Sequence, residues 1–512
     1  MKYVYKTKPY QHQVRALKQL LRQGYGGALL MEPRTGKSKT AIDWLSVLAT
    51  QRKIDRAVII CPNRVMGTWL NEIMTHCPLR VHVTVWDRDE RSRGVPATPA
   101  GYQLYLLIVN FNAFGVPGKK LPSGRRSKAS GRFKVRSLIY KWLAGQPAAC
   151  VVDESHKIKS PSGKVSNMIV SMRDAFAYRV ILTGTPQTKA NRAHDIWMQW
   201  QFLNPDTFKE WPTVADFKEE FGRWTNRRGF PEYIGPKNIN TLKNRMARDA
   251  FIIRRDQCFD LPPREDIVHT VRLNDCTRKI YRLMAEEMVA EIEEGRYAEA
   301  PIKLVQSLRL QQITSGFVTD DQGELQVLGL DKLNALEELL EDYAVDKDQK
   351  VVVAARWRHD LDGIEGLAKS LGLPVWSIRG GVSRADSDKA IERFREHEGA
   401  AVIALQPNSA SLGIDLSSAS VMVWYSHTLS WVDFSQCCDR IALSRSSTTF
   451  IHLVAEKSID EIVISTLAAD GDVGRAIMMN PRELINGHPL DLNDAGQIKG
   501  LGTFQVDRKG GK

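Results

Sequence analysis

Hydrophobic positions recur along this chain with a helical period in some stretches and as short unbroken runs in others. Residues 10–24 put Val14, Leu17, Leu20 and Leu21 on one side, the spacing of an amphipathic helix. A short apolar run over 25–30 follows, then a helical pattern over 40–45. Apolar runs return at 57–61, 104–109, 149–152 and 178–182, the last interrupted by Arg179, with helical spacers between them. Short runs with no polar face suit strands buried on both sides, so this half predicts a parallel α/β sheet. From 190 to 255 the pattern turns helical and aromatic, with Ile196, Trp197, Trp200 and Phe202 clustered. Such aromatics suit a helix core better than platforms for stacked bases. Residues 277–315 predict long amphipathic helices with solvated acidic positions at Glu286, Glu287, Glu291, Glu293 and Glu294.

A second series of apolar runs occupies 350–355, 373–378, 400–405, 420–425 and 450–454, among helical patterns at 331–343, 359–371, 384–396 and 459–469. The expected organisation is an N-terminal lobe over 1–190, a helical insertion and linker over 191–325, a C-terminal lobe over 326–480 and a frayed tail over 481–512.

The junction after the first run carries the chemistry. Residues 31–40 read Met-Glu-Pro-Arg-Thr-Gly-Lys-Ser-Lys-Thr, between a strand and a helix. That is the context of a phosphate-binding loop, whose backbone N–H groups cradle phosphates at a helix start. Lys37 would reach the β- and γ-phosphates, and Ser38 would hold Mg²⁺. Further along, an apolar run ends in Asp153-Glu154-Ser155-His156. There Asp153 would bind the metal through water, and Glu154 would orient the attacking water. A surface turn is the plain alternative for these acids, and the four apolar residues leading into them oppose it. Together the two motifs imply a machine driven by nucleoside triphosphate.

Composition narrows the partners. The 512 residues carry a net charge of +13, a balance that favours polyanions, nucleic acid first. The stretch 118–136 holds eight basic residues and no acid, so it suits either nucleic acid backbone contact or a solvated loop. Seven cysteines form no Cys-x-x-Cys pair, which argues against a zinc ribbon or a disulfide framework. The first residues lack an apolar signal core, and no run of about 18 apolar residues appears. The expectation is an intracellular, reducing setting with no membrane contact.

In their order, these motifs resemble superfamily 2 helicases, specifically the Snf2-like group of DNA translocases, over roughly residues 9–467. Gln13 resembles the adenine-reading glutamine, residues 31–40 resemble motif I, and 59–64 with Thr68, Trp69 and Glu72 resemble motif Ia. Asp153 to His156 match a DEAH-type motif II, and Leu182-Thr-Gly-Thr-Pro186 matches motif III. Trp197, 202–205, Phe217 and Phe221 resemble a helical stretch of the Snf2 group. Residues 251–255 with 261–263 resemble its linker, and 308–313 continue the match. In the second lobe 409–416 resemble motif V, Trp431 with 436–440 resembles motif VI, and 458–461 match the closing helix. Arg34 stands where the group usually has Gly. Leu443 stands where it usually has a second Arg, with Arg445 two residues on.

The resemblance implies two RecA-like parallel-sheet lobes in tandem with a helical Snf2-like insertion between them. It also implies ATP and Mg²⁺ as ligands, with hydrolysis at an interlobe cleft coupled to movement along DNA. Lys37, Asp153, Glu154 and Arg440 or Arg445 would be catalytic. Gln13, Arg34, Thr35, Gly36, Lys37, Ser38, Lys39, His156, Gly413, Asp415 and Gln436 would bind nucleotide, and Ser38 and Asp153 the metal. The partner would be DNA, through backbone contacts that include the loop 118–136. The setting would be a bacterial or host cytoplasm, nucleoid-associated, in replication, recombination or repair. An RNA-stimulated helicase, or a nucleotide-dependent DNA-binding scaffold with weak hydrolysis, is the alternative.

Overall fold

The computed structural model describes residues 3–86, 94–114, 132–184, 186, 192–227, 230–254, 257–258, 264–293, 300–319, 324–410, 414–441, 447–469, 473, 476–477, 480–493 and 497–498. The chain forms two compact units, Met1–Asp260 and Leu261–Lys512.

In the first unit, β1 (Gly26–Met31), β2 (Arg56–Cys61), β3 (Val81–Trp86), β4 (Leu104–Asn110), β5 (Ala148–Asp153), β6 (Tyr178–Thr183) and β9 (Ala250–Ile253) make one sheet. Its order is β3-β4-β2-β5-β6-β1-β9, and every pairing is parallel. Alternation within β2 shows why the strands are apolar throughout. Val58 and Ile60 enter one core with Leu107, Val152 and Ile181. Ala57, Ile59 and Cys61 enter the other with Leu29, Val151 and Leu182. Helix α1 (Gln11–Gln23) follows the amphipathic stretch expected over 10–24, α2 (Lys37–Thr50) contains the helical pattern at 40–45, and α3 (Met66–His76) is one of the helical spacers; α2 buries Trp44 and Leu45 in the second core.

Among the described residues, the region expected to be helical from 190 to 255 contains three α-helices, Trp197–Leu203, Val214–Phe221 and Ile239–Asp249. Trp200, Phe202, Phe208, Phe217 and Phe221 are buried together, so the aromatics serve as core. The same region also holds an antiparallel hairpin, β7 (Gly222–Arg227) with β8 (Phe230–Pro236), and the edge strand β9. These strands, like β3, are edge or isolated pieces. The hairpin and β3 leave no unbroken apolar run buried on both sides, whereas β9 does, with Ala250 in one core and Ile253 in the other, but it is only four residues long and abuts the stretch read as linker.

The second unit has a parallel sheet of β10 (Arg264–Val271), β13 (Lys350–Ala354), β14 (Val375–Ile378), β15 (Ala401–Leu405), β16 (Val421–Trp424) and β17 (Thr448–Ala455). Its order is β10-β17-β16-β13-β15-β14. A small hairpin of β11 (Phe317–Thr319) and β12 (Leu325–Val327) lies outside it. Serines cap its helices: Ser383 accepts from Asp386 N at 3.2 Å and Ser458 from Asp460 N at 3.2 Å, satisfying N–H groups at the first turn. Residues 191–260 thus belong to the first unit and 261–325 to the second. Of the tail, 499–512 lie outside the described residues, as do 118–131 of the basic stretch.

Candidate functional site

Parallel strands collect their following loops at one edge. β6 lies between β1 and β5, with Leu30 beside Thr183 and Asp153 beside Leu182. The loop after β1, the acids after β5 and Thr183-Gly184 after β6 are therefore neighbours at the carboxyl end of the sheet. Ligands bind at that edge in such folds.

The loop is wound tightly. Gly36 precedes α2 with φ 82° and ψ 39°, and Arg34 has φ 64°, both in the left-handed region. Arg34 thus adopts the conformation that glycine takes without strain, at a place where the resembled group usually has Gly. Thr35 Oγ1 donates to Glu32 O at 2.7 Å, Thr40 Oγ1 to Gly36 O at 3.0 Å, and Lys37 Nζ to Met31 O at 2.6 Å. The Lys37 ammonium is thereby held back over its own loop, on a carbonyl that a phosphate would outbid as a charged acceptor. Ser38 is partly exposed at the first turn of α2. Lys39 is otherwise engaged: its ammonium is buried on Asp43 at 2.7 Å, and Tyr3 donates to the same carboxylate at 2.7 Å. Its backbone N–H remains at the helix start, while its side chain anchors α2.

Helix α1 braces the loop from the side. Gln13 Nε2 donates to Thr35 O at 3.3 Å while Gln13 Oε1 accepts from Tyr10 N at 2.9 Å. His12 Nε2 donates to the same Thr35 O at 2.8 Å. A Cβ on Gly36 would stand 1.9 Å from Gln13 Nε2, so the helix packs directly on the glycine. On the far side, a Cβ on Gly184 would stand 2.9 Å from Pro33 Cδ.

The acids are held as a set. Trp69 Nε1 donates to Asp153 Oδ2 at 2.9 Å, and Glu154 N donates to Asp153 Oδ1 at 2.9 Å. Glu154 has φ 52° and ψ 52°, a strained left-handed turn that swings its side chain off the strand line. His156 Nδ1 lies 3.2 Å from Glu154 Oε2 and 3.3 Å from Thr183 Oγ1, linking β5 to β6. Burial and then the Glu154 charge raise the Asp153 carboxyl to about 6, against the Trp69 hydrogen bond and the Lys37 charge. Burial opposes ionisation of Glu154 too, but His156, Lys37 and Lys157 outweigh it and hold that carboxyl well below the usual range. One acid is poised to take a cation, and its neighbour is kept ionised.

In the second unit Arg440 follows the helix Trp431–Cys438 and donates to Ile414 O at 3.4 Å, with Leu416 N returning to Arg440 O at 3.1 Å. Asp415, exposed, accepts from Ser417 N at 3.1 Å. Gln436 is partly exposed on the same helix. Arg440 and Asp415 are thus brought together by the backbone pairing at 414–416. Thr185, Gly413 and Arg445 lie outside the described residues. Sequence reasoning did not identify His12 as a brace or Trp69 as the donor to Asp153. His12 comes from the helix before β1 and Trp69 from the helix after β2, and nothing in local spacing reports such a meeting.

The SNF2-related domain family matches residues 10–315, and the helicase conserved C-terminal domain family matches 331–443. Among curated proteins the chain is 22% identical over 418 residues to the ISWI chromatin-remodeling complex ATPase CHR17 of Arabidopsis thaliana, covering 79% of this chain and 36% of the relative. It is 24% identical over 452 residues to the ATP-dependent DNA helicase DDM1 of the same plant, covering 80% of this chain and 54% of the relative. A solved structure, the Sulfolobus solfataricus SWI2/SNF2 ATPase core in complex with dsDNA, is 20% identical with a TM-score of 0.39, covering 95% of this chain and 98% of that one. The chain spans roughly a third to a half of the length of these two curated relatives.

Proposed function

The chain belongs to the SNF2-related domain family, and from that premise we propose that it is an ATP-dependent DNA helicase or translocase. The observation that carries this reading is the joining of a braced Gly36-Lys37-Ser38 loop to a paired Asp153–Glu154 set across β6. The first unit binds ATP. The triphosphate lies on the backbone N–H groups at the start of α2, and Lys37 exchanges Met31 O for phosphate oxygens. Gln13 and His12 keep the loop wound while it does so.

The donor set fits Mg²⁺. Ser38 and Asp153 offer hard oxygens, and no group of three or more His, Cys, Asp or Glu is arranged to hold a metal ion among the described residues. A small ion that keeps its waters suits such a sparse set. When bound, it neutralises charge on the phosphates. Glu154, held ionised by His156, orients the attacking water, and the contact of His156 with Thr183 carries the state of that site to β6. Arg440 or Arg445 supplies the guanidinium that stabilises the transferring phosphoryl group.

DNA names in the relatives, a net charge of +13 and the Snf2-type middle segment support DNA over RNA as the track. Backbone contacts suit translocation because they carry no sequence information. No helix among the described residues is long and apolar enough to cross a membrane, and a cytoplasmic, nucleoid-associated setting is the one we propose. The test is the steady-state ATPase rate with no polymer, single-stranded, duplex and forked DNA, and RNA. Lys37→Ala and Glu154→Gln each reduce turnover by about a hundredfold or more. DNA stimulates the wild type more than RNA does. Equal, low rates on every polymer would favour the scaffold reading, and retained turnover in both variants would sink the site.

A further inference from the structure

The hairpin β7–β8 stands apart from the seven-stranded sheet, and the nucleotide site makes no use of it. Its base meets the helix Val214–Phe221 in an open groove of about 680 Å³, lined by Lys218, Glu219, Gly222, Arg223, Trp224 and Lys237. The floor is fixed. Trp224 Nε1 donates to Lys218 O at 2.9 Å, the Tyr233 ring meets the indole edge-on at 5.2 Å, and Lys218 Nζ sits 5.7 Å over the indole. Gly222 makes this possible, since a Cβ there would stand 2.6 Å from Trp224 Nε1. The rim is cationic. Lys218, Arg223 and Lys237 surround one acid, Glu219. Two nearby acids face other partners, Asp216 the Thr213 hydroxyl at 2.7 Å and Glu220 the Asn238 amide at 2.7 Å, and keep their charge outside the groove lining.

We propose that this groove seats the phosphate backbone of DNA, as a contact separate from the nucleotide loop. The inference rests on the DNA-motor reading above. Three cations around a rigid aromatic floor complement a polyanion. The groove is open and Arg223 is exposed, which suits a polymer passing through better than a small enclosed anion. Cations on a folded rim hold phosphates without reading bases, as a moving protein requires.

The test is fluorescence anisotropy of labelled duplex DNA with the full chain at 50 to 200 mM salt. Arg223→Ser/Lys237→Ser removes two phosphate contacts. Its affinity falls about tenfold at low salt, and its log–log salt slope shrinks by about two. Glu219→Gln, at an exposed position, removes the opposing charge and tightens binding about threefold. Should the double variant fail to fold, that second variant decides alone. Unchanged affinity and slope in the double variant, or no tightening in Glu219→Gln, overturns the groove. A variant that loses RNA binding but keeps DNA binding overturns the choice of DNA. The ATPase assay of the wild type separates the two levels. DNA-stimulated turnover with wild-type binding in the double variant sinks the groove alone. A wild type that neither binds DNA nor responds to it sinks both.

Discussion

At Asp360 the folded chain holds a proton that the unfolded chain releases. The side chain is buried with 3% exposure. Ser426 and Ser315 donate to its Oδ2 at 2.7 and 3.3 Å, and Oδ1 has no partner among the described residues. Burial raises its carboxyl to about 7, against the hydrogen bonds and the Lys332 charge. The folded state therefore keeps the proton from the ordinary carboxylate range up to about 7. Stability falls as pH rises through that window, by a few kcal/mol at most, and the loss is complete above it. Asp360→Asn, neutral at every pH, flattens that part of the profile. Urea unfolding of both proteins at pH 5, 6 and 7.5 checks it, and parallel profiles would remove Asp360 from the account. His156 offers a catalytic counterpart. It lowers the Glu154 pKa, so His156→Ala lets that pKa rise and moves the acid limb of kcat up by about one pH unit. An unmoved limb would show that Glu154 is held ionised by other groups.

Elements meet through single buried residues. Asp249 ends the helix Ile239–Asp249 and accepts from Trp200 Nε1 at 3.0 Å, Asn204 Nδ2 at 3.4 Å, Tyr25 and Thr207. It thereby ties that helix to the helix Trp197–Leu203 and to the start of β1. Asp249→Ala leaves the buried Trp200 and Thr207 donors without their acceptor and takes one from the half-buried Tyr25, a loss of about 3 kcal/mol or more. A melting temperature within a degree of wild type would refute the hub. Gly36 joins α1 to the loop in the same manner. Gly36→Ala meets both the left-handed φ and the Gln13 contact, so it costs about 1–2 kcal/mol and raises KM for ATP. Wild-type unfolding and KM together would mean that α1 does not brace the loop.

The whole chain carries a net charge of +13, and on the proposed DNA-motor reading that excess acts on the phosphate backbone. The DNA concentration for half-maximal ATPase stimulation accordingly rises steeply with salt, about threefold or more per phosphate contact between 50 and 200 mM. A salt-independent response would place the DNA contact on apolar or base-reading groups instead. Each unit has its own pair of cores, one on each face of its sheet. That two-sided burial explains why β2, β5, β13 and β15 could be read directly as unbroken apolar runs.

The sequence by itself determined the two parallel sheets, the loop at Gly36-Lys37-Ser38 and the acids at 153–154. Each is local: a run of apolar residues, or a motif in which chemistry needs fixed neighbours along the chain. Tertiary structure alone decided the hairpin β7–β8, because the sequences of its strands leave no hydrophobic period. It also decided that Trp69 holds Asp153 and that His12 and Gln13 grip Thr35 O. Those partners lie on separate elements, and only the order of strands in the sheet brings their side chains within hydrogen-bonding distance.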